Sequence, residues 1–325
     1  MLAWYPQRRV EADTWVVVVN WNGAALLPGC LDALARSTRP AHVVVVDNGS
    51  ADASADAVAR FAGVEWLPLG RNAGFAAANN VGLRRALAAG ARWIAIVNTD
   101  VHVDPDWLER LVAAGEAHAD AAVLGGLLLF ADDPRRVNST GLVLDALGRA
   151  RDRDFGLALE RLERPEGAVT GVSGGAAMLR AEALRRVGLF DPAYFAYYED
   201  VDLSLRAAAA GFRCWYVPGA RALHGFGKSF GPGSPRQKYL LARNHMRAIA
   251  THLPVARVLA VAPLLTVLRA AVKAPLELAR GKPEHASAHW RAAGAGALAA
   301  FQALGRRMRR GGGPPPGADP LVGPR

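Results

Sequence analysis

The chain has 325 residues, and 51% of them are hydrophobic, so a sizeable core can form and global disorder is excluded. Its two cysteines, Cys30 and Cys214, are too few for a disulfide framework or a cysteine-rich metal cluster, and they agree with a reducing compartment. Residues 1–10 do not show the basic and apolar pattern of a secretory leader.

Strands and helices alternate regularly through the first 118 residues. Short apolar runs rich in valine and isoleucine predict strands at 15–20, 42–46, 64–67 and 93–98. Amphipathic or alanine-rich stretches predict helices at 26–36, 52–61, 71–89 and 105–118. Alternation at this spacing is typical of an α/β protein with a parallel, doubly wound sheet.

The alternation becomes irregular after residue 120. A strand is predicted at 121–130, a polar and loop-rich stretch at 132–166, and a strand-like run at 168–180 with Gly174 and Gly175 marking a bulge or close backbone approach. A helix follows to Ala210, and the last strand is predicted at 213–217. His224 stands in a glycine-rich segment, 223–233.

The C-terminal third is helical in pattern and strongly basic. Residues 221–310 carry 16 Lys and Arg against two Glu, a charge of +14, whereas the rest carries 23 basic and 27 acidic residues, a charge of −4. The apolar run 258–268 is shorter than the ~20 residues that span a bilayer, and Pro263 and Pro275 break it further. We therefore expect domains at 1–238 and 239–310, followed by a disordered Gly/Pro tail at 311–325.

Two interpretations of the basic region remain open. It could be a helical appendage that packs on the first domain. The favoured alternative is a membrane-surface element, because a polyanionic surface suits its charge. Its apolar faces would be 255–278 and 289–304, with Arg306, Arg307, Arg309 and Arg310 at the lipid headgroups. Few aromatic residues are present for base stacking, so no nucleic-acid partner is expected.

Three of the first four predicted strands end in Asn or Asp beside small residues. These side chains are Asn20 and Asn22, Asp47 and Asn48, and Asn98 and Asp100, with Arg71 and Asn72 in the loop after the third strand. Each loop alone is ordinary, because such residues dominate turns. Together they line one edge of one sheet, where open α/β sheets bind their ligands.

Two of these carboxylates suggest specific roles. Asp100 could hold a divalent metal that in turn holds phosphates, although it could simply lie in a turn before the helix near Asp104. Asp47 would accept the N3–H of uracil or thymine. A dinucleotide fold and a P-loop are disfavoured, because neither glycine-rich motif is present after the first strand.

A series of motifs resembles the family 2 glycosyltransferases, and in detail their bacterial rhamnosyltransferase branch, across residues 13–230. The motifs are VVNWNG at 18–23, VDNGSAD at 46–52, RNAGFAAANNVG at 71–82, VNTD at 97–100, GLFDP at 188–192, YEDVDL at 198–203, and the stretch 218–224. The resemblance implies a GT-A fold, a nucleotide-diphosphate-sugar donor, and inversion at the anomeric carbon.

The resemblance also assigns site residues. Asp47 corresponds to the carboxylate that reads the base, and residues 98–100 stand where the family has Asp-x-Asp. Asn98 replaces the first Asp, so Asp100 is the sole motif carboxylate for Mg²⁺ or Mn²⁺. His224 stands where related enzymes use a late His on the metal, and an exposed loop His is the alternative. The nucleotide-sugar-binding set is Asn20, Asn22, Asp47, Asn48, Gly49, Arg71, Asn72, Gly74, Phe75, Asn79, Asn98 and Asp100.

Inverting transfer needs a base on the acceptor side. Family correspondence gives this role to Asp200, with Glu199 as the other candidate catalytic residue. Both could instead simply favour a helix N-terminus, where acidic side chains are stabilised.

We therefore expect an inverting glycosyltransferase on the cytoplasmic face of the cell membrane. It would move a sugar from a dTDP- or UDP-sugar, with dTDP-rhamnose as the specific candidate, to a glycan or lipid-linked acceptor in cell-wall or surface polysaccharide synthesis. A sugar-nucleotide nucleotidyltransferase is an alternative, but residues 20–23 lack its phosphate-binding Lys or Arg. A non-catalytic nucleotide-sugar-binding scaffold is a second alternative. It is disfavoured because such a scaffold would not need Asp47, Asp100 and Asp200.

Overall fold

The computed structural model describes residues 13–225 and 233–309. The strands are β1 (Thr14–Asn20), β2 (His42–Asp47), β3 (Glu65–Pro68), β4 (Trp93–Asn98), β5 (Val101–Val103), β6 (Ala121–Phe130), β7 (Val137–Ser139), β8 (Leu142–Leu144), β9 (Ala150–Asp152), β10 (Gly167–Val169), β11 (Ala176–Arg180) and β12 (Arg213–His224). The α-helices are α1 (Leu27–Ala35), α2 (Ser54–Val58), α3 (Phe75–Ala88), α4 (Trp107–Ala117), α5 (Ala181–Val187), α6 (Glu199–Ala209), α7 (Pro235–His252), α8 (Val255–Val267), α9 (Ala274–Ala279) and α10 (Pro283–Arg309).

One mixed sheet of ten strands forms the centre of the protein. Its main order is β10-β12-β6-β11-β4-β1-β2-β3, while β5 pairs with β12 and β7 with β6. Strands β3, β2, β1 and β4 are mutually parallel, as the alternation predicts. Strand β11 is antiparallel to both of its neighbours. The strand order reverses between β1 and β4, which is the position where doubly wound sheets bind ligands.

The central strands are apolar throughout because both faces of the sheet are covered. Successive residues Val16 and Val17 of β1 point to opposite faces and are both fully buried. Helices α1 and α4 pack on one face, and α3, α5 and α6 pack on the other. Gly82 lets α3 approach β1 closely, because a Cβ there would lie 2.4 Å from Val17 Cγ1. The close approach fixes the start of α3 at the ligand-binding edge.

The second half of the domain differs from the sequence prediction in three places. The stretch 132–166 contains β7 and the hairpin β8–β9, whose strands have only three residues each and are too short to give a clear sequence pattern. The run 168–180 is two strands, with Gly174 before β11 rather than inside it. Strand β12 continues to residue 224, so His224 ends a strand and is not an exposed loop His. Residues 226–232 of the glycine-rich segment lie outside the described residues.

The prediction of a short, broken apolar segment near the C-terminus is wrong. A single helical run extends over Val255–Ala279 and is, by length and composition, long and apolar enough to cross a membrane. Its central turn, Leu268–Lys273, is a π-helix, in which a carbonyl pairs with the N–H five residues later. The partner of the Ala270 carbonyl would then be residue 275, but Pro275 has no N–H. That carbonyl accepts a hydrogen bond from Trp290 Nε1 at 3.0 Å instead. The proline is therefore tolerated within the helix.

The C-terminal helices pack on the first domain and on each other. The predicted boundary at residue 238 lies within α7, and a small apolar core joins α7, α8 and α10. Large apolar side chains nevertheless remain exposed on this region, among them Leu259 at 65% and Phe301 at 75%. The region thus combines features of both interpretations. Arg310 and the predicted tail 311–325 lie outside the described residues.

Candidate active site

Eight of the fifteen predicted site residues line one cleft at the carboxyl edge of the parallel strands, whereas Asn20, Asn22, Asp47, Gly49, Arg71, Gly74 and Asn79 do not line it. The cleft has a volume of about 330 Å³. It is built from the ends of β1 and β4, the hairpin β8–β9, the loop before α6, and the end of β12. Predicted residues that line it are Asn48, Asn72, Phe75, Asn98, Asp100, Glu199, Asp200 and His224.

Asp47 is the centre of a hydrogen-bond network that joins the ends of β1 and β2. Its Oδ1 accepts from Asn20 Nδ2 at 2.9 Å and Ser50 Oγ at 2.5 Å, and its Oδ2 accepts from the Ser50 amide at 3.1 Å. Asn22 adopts a positive φ of 51° and accepts from the Ala51 amide at 2.8 Å. These contacts fix the Asp47 carboxylate at the sheet edge, where two oxygens retain further acceptor capacity.

The loops after β2 and β3 are held against each other beside the cleft. Asn48 donates to Asn72 Oδ1 at 3.1 Å and accepts from the Ala73 amide at 2.8 Å. Gly49 has φ +77°, and a Cβ there would lie 2.5 Å from the Arg71 Cα, so glycine is required. The exposed Arg71 is thereby placed at this edge.

The start of α3 brings some predicted residues to the cleft and not others. Gly74 has φ +90°, and a Cβ there would lie 2.5 Å from the Phe195 ring. Phe75 lines the cleft. Asn79 instead donates to the Phe75 carbonyl at 3.0 Å within the helix and is buried. Its structural contact is therefore with α3 itself.

Asp100 and His224 form a two-residue candidate metal site. Asp100 Oδ1 is buried without a hydrogen-bond partner among the described residues, and it lies 3.6 Å from His224 Nε2. His224 Nδ1 is 2.8 Å from Asn138 Oδ1, a contact that orients the ring and directs Nε2 towards Asp100. Burial lowers the pKa of His224, although the Asp100 charge opposes this, which favours the neutral ring that binds metals.

This pair fits a divalent ion only together with other ligands. Within residues 13–225 and 233–309, no group of three His, Cys, Asp or Glu side chains could hold a metal. Mg²⁺ and Mn²⁺ are commonly held by one or two protein ligands together with substrate phosphates and water. The site is therefore suited to a metal that arrives with, or is completed by, a diphosphate.

Glu199 and Asp200 face the same cleft from the first turn of α6. Asp200 accepts from the amides of Gly174 and Val201, both at 2.8 Å, while Glu199 Oε2 is buried with no hydrogen-bond partner in the described structure. Burial raises the pKa of Asp200, against the effect of those amides. Burial and the nearby Asp200 charge raise the pKa of Glu199 well above its usual range. The pair therefore favours an ionised Asp200 beside a protonated Glu199.

The loop before α6 is strained and held by the C-terminal region. Phe195, Tyr197 and Tyr198 all have positive φ, between 66° and 73°. Asn244 of α7 is fully buried, and its Nδ2 donates to the carbonyls of residues 194, 196 and 197 at 2.7–2.9 Å. Below this loop, Asp202 of α6 pairs with both Arg206 and His252 at 2.8 Å. Helix α7 is therefore part of the active-site scaffold.

Sequence reasoning missed a fourth carboxylate in the cleft, beside Asp100, Glu199 and Asp200. Asp152 ends β9, and its Oδ1 is buried without a hydrogen-bond partner among the described residues. Burial raises the pKa of Asp152 to about 6, and the nearby Asp200 charge also raises it. Asn138 and Asn244 were missed as well. All three act through contacts between distant segments, so no local motif could identify them.

Comparison with protein families gives a direct match. The model of "Glycosyl transferase family 2" matches residues 15–188. The N-acetylglucosaminyl-diphospho-decaprenol L-rhamnosyltransferase of Mycobacterium tuberculosis is 34% identical over 229 residues, which are 64% of this chain and 75% of that protein. The dTDP-rhamnosyl transferase RfbF of Shigella flexneri is 25% identical over 67% of this chain and 71% of its own length.

Solved structures of glycosyltransferases share the fold. GalNAc-T7 with UDP, GalNAc and Mn²⁺ gives a TM-score of 0.60 at 17% identity, over 73% of this chain and 47% of its own. The mannosyltransferase PcManGT of Pyrobaculum calidifontis, with GDP-Man and Mn²⁺, gives 0.54 at 20% identity, over 90% and 87%. The GT-A fold is thus confirmed, and family membership favours a glycosyltransferase over the nucleotidyltransferase and scaffold alternatives. The chain belongs to glycosyl transferase family 2, where its similarity is to the rhamnosyltransferase branch.

Proposed function

We propose that this glycosyltransferase transfers rhamnose, with inversion, from dTDP-rhamnose to a lipid-linked acceptor in surface polysaccharide synthesis. The observation that carries the proposal is the single cleft that joins the Asn48 and Asn72 edge, the Asp100–His224 pair and the Glu199–Asp200 pair. Along the cleft, these three groups would hold the donor nucleotide, the diphosphate and the acceptor hydroxyl, in that order. The rhamnosyltransferases among its relatives support the choice of sugar.

The base of the donor is read at the edge formed by the β1 and β2 ends. Asp47 would accept the N3–H of thymine or uracil, while its bonds to Asn20 and Ser50 hold the carboxylate in place. The fold neighbours include one protein bound to UDP and one bound to GDP-Man, so fold alone does not select the base. The selection of a pyrimidine rests on Asp47.

Asp100 and His224 would hold a divalent metal, with Asn98 beside them. When bound, the metal neutralises charge on the diphosphate leaving group. The chain's own contribution is orientation: Asn138 fixes the His224 ring, and the buried Asp100 Oδ1 is positioned to receive a cation. The family's first motif carboxylate is replaced by Asn98, which lowers the negative charge of the site.

Asp200 would act as the base on the acceptor. An acceptor hydroxyl loses its proton to Asp200 as its oxygen bonds to the anomeric carbon, and the bond from that carbon to the diphosphate oxygen breaks on the opposite side. The amides of Gly174 and Val201 hold Asp200 in position. Glu199, with its raised pKa, stays protonated and leaves Asp200 as the charged partner.

The enzyme would work at the cytoplasmic surface of the membrane. Only 22% of the most apolar 18 residues in the helical run Val255–Ala279 are buried, and Leu259 and Leu264 on this run are exposed. Together with the charge of +14 in residues 221–310, this supports contact with an anionic bilayer.

A donor screen tests the proposed function. Hydrolysis and transfer are measured with dTDP-rhamnose, UDP-GlcNAc and GDP-mannose, with Mn²⁺ and with EDTA. We expect turnover with dTDP-rhamnose only when metal is present, and inhibition by dTDP and UDP well above that by GDP. Preferential use of GDP-mannose, or equal rates in EDTA, would contradict the proposal.

A further inference from the structure

A second cavity lies beside the active-site cleft, between the hairpin β8–β9 and the C-terminal helices. Its volume is about 490 Å³. The two cavities share Ala150, Arg151, Tyr198 and Leu241 as lining residues. Tyr198 immediately precedes the Glu199–Asp200 pair, so the second cavity lies next to the part of the cleft that these carboxylates line.

The lining of this second cavity, called the basic pocket below, is strongly positive. Six cationic side chains line it: Arg149, Arg151, Lys238, Arg269, Lys273 and Arg280. The carboxylates that face them are Glu277, paired with Lys238 at 2.8 Å, and Asp145, paired with Arg149 and Arg151. Six positive charges against two negative ones leave an excess that suits an anion of high charge density.

Arg269 is the strongest indication that the pocket has a ligand. It is only 6% exposed, and its Nη1 is buried without a hydrogen-bond partner in the described structure. Its Nη2 donates to His245 Nδ1 at 3.0 Å, while His245 Nε2 donates to the Leu147 carbonyl at 2.9 Å. Among the described residues no ion pair joins Arg269 or Lys273 to a carboxylate. A buried guanidinium without a counter-ion is costly unless an anion completes it.

The groups around Arg269 also favour an anionic ligand in the basic pocket. Burial and the adjacent Arg269 charge together lower the pKa of His245 to about 4, so His245 is neutral and its Nδ1 can accept the hydrogen bond from Arg269. Arg269 and Lys273 both lie in the π-helical turn Leu268–Lys273, a feature often found at functional sites. Phosphoryl oxygens are the acceptors that match a planar guanidinium beside an ammonium group.

The pocket also adjoins the exposed apolar surface. Leu276 lines it and is 46% exposed on the same helical run as Leu259 and Leu264. An acceptor that combines a phosphoryl head with an apolar tail would therefore find both surfaces together. The sugar would point the other way, past Tyr198 into the cleft.

We propose that the basic pocket binds the diphosphate of a prenyl-diphosphate-linked acceptor, an inference that rests on the proposed transfer to a lipid-linked acceptor. Because the pocket and the cleft share lining residues, the geometry favours a short glycan, with the reacting hydroxyl on the sugar next to the diphosphate. Anionic phospholipid headgroups offer the same phosphoryl chemistry, and the experiment separates the two sources.

The test is direct binding of farnesyl diphosphate, below its micelle concentration and in EDTA so that no metal-bound diphosphate contributes. Calorimetry is run on the wild type, Lys273→Gln and Arg269→Gln. Lys282→Gln is the matched control, since Lys282 is an exposed lysine of the same region outside the pocket lining. We expect about tenfold weaker binding for Lys273→Gln, as for loss of one charge-assisted contact, and wild-type binding for the control.

Arg269→Gln should lose at least as much affinity if it folds, and Lys273→Gln decides the matter if it does not. Equal binding by wild type and Lys273→Gln, or no binding by the wild type, would overturn the proposal. Vesicles of phosphatidylglycerol and of phosphatidylcholine form the second arm. Selective loss of phosphatidylglycerol binding in Lys273→Gln, with farnesyl diphosphate binding intact, would identify a headgroup site and also overturn it.

Hydrolysis of dTDP-rhamnose by the wild type reports separately on the proposed function. If hydrolysis and transfer both fail, the donor assignment is wrong, while farnesyl diphosphate binding still decides the role of the pocket. If hydrolysis succeeds and farnesyl diphosphate does not bind, the transferase stands and the pocket assignment fails.

Discussion

The donor side and the acceptor side of the active site are built in different ways. On the donor side, Asn20, Asp47 and Asn98 are the last residues of three neighbouring parallel strands. On the acceptor side, Asp152 and Asp200 come from a hairpin and a helix 48 residues apart in number, and Asn244 comes from α7. The strand ends are visible in the sequence pattern itself, whereas Asp200 is assigned only through the family motif, and Asp152 and Asn244 are not identified by sequence at all.

The two sides also differ in backbone strain. The loop before α6, on the acceptor side, holds three non-glycine residues at positive φ. Buried polar atoms without partners among the described residues occur on both sides: Asn20 Oδ1 and Asp100 Oδ1 on the donor side, and Glu199 Oε2, Asp152 Oδ1 and Arg269 Nη1 on the acceptor side. Strain and unsatisfied groups persist where the surrounding structure enforces them and a ligand can use them. The acceptor side is therefore where substitutions should affect chemistry without affecting donor binding.

The largest effect is expected for Asp200→Asn, which sharpens the division between the two sides. Asn keeps the size of the side chain but cannot accept the acceptor's proton. General-base assistance is worth about 10²–10⁴ in rate, so turnover should fall at least a hundredfold while the affinity for dTDP stays at the wild-type value. Steady-state transfer and calorimetry measure the two quantities.

Glu199→Gln is the matched control for that substitution. Because the structure favours a protonated Glu199, Gln should preserve its size and neutral charge and reduce turnover much less. A greater loss for Glu199→Gln than for Asp200→Asn, at equal donor affinity, would make Glu199 the base.

A smaller effect is expected for Asn244→Ala, which tests whether the C-terminal region belongs to the active site. The substitution removes the Asn244 donor from three loop carbonyls, of which that of Tyr194 still accepts from Arg243, at a cost of roughly 1–3 kcal/mol in the free energy of unfolding. Loosening the loop before Asp200 should lower turnover by about tenfold, which corresponds to ~1.4 kcal/mol. Thermal melts and transfer rates give both values.

Thr251→Ala provides the control on the same helix, since the Thr251 hydroxyl donates to the Arg247 carbonyl within α7 at 2.9 Å. It should leave turnover unchanged. Equal losses of turnover in the two variants would show that general destabilisation of α7, rather than the loop contact, controls activity.

The smallest effect concerns the pH dependence of stability at Asp152. Its pKa is raised to about 6 from a usual value of 3.8. Between these pH values the folded state keeps a proton that the unfolded state has lost, so the free energy of unfolding falls as the pH rises. Asp152→Asn removes that loss. The Tm of Asp152→Asn minus the Tm of the wild type should be larger at pH 8 than at pH 4 by roughly 2–4 °C.

Melts at pH 4, 6 and 8 measure this difference, with Asp32→Asn on the exposed face of α1 as the control. A difference in Tm that does not change with pH would show that Asp152 is not held in the environment described.

Much of the donor half could be predicted from sequence because its information is local. The β-branched runs give the parallel strands, the turn residues after them mark the sheet edge, and Asp100 follows directly from its position after β4. The ion pair of Asp202 and Arg206, at 2.8 Å, is also local, because the two residues are four apart on one helix. The motifs of the family fall in these same segments.

The remaining features depend on pairing across long separations. Strand β12 reaches His224 only because β5 and β6 extend its ladder, and Asp152 enters the cleft only through the β8–β9 hairpin. The helical run Val255–Ala279 continues past Pro275 because Trp290 of α10 satisfies a carbonyl there. Local propensity cannot predict contacts of this kind. The strands within 132–166 and the helix that continues past Pro275 therefore differ from the sequence prediction.

The most direct test of this account measures Asp100→Asn and Asp200→Asn side by side. Calorimetry of dTDP binding with Mn²⁺ and the rate of rhamnose transfer are recorded for both variants. The account predicts loss of metal-dependent dTDP binding in Asp100→Asn alone, and loss of turnover at wild-type dTDP affinity in Asp200→Asn. Loss of dTDP affinity in both variants, or in Asp200→Asn only, would contradict the division of the cleft into a donor side and an acceptor side.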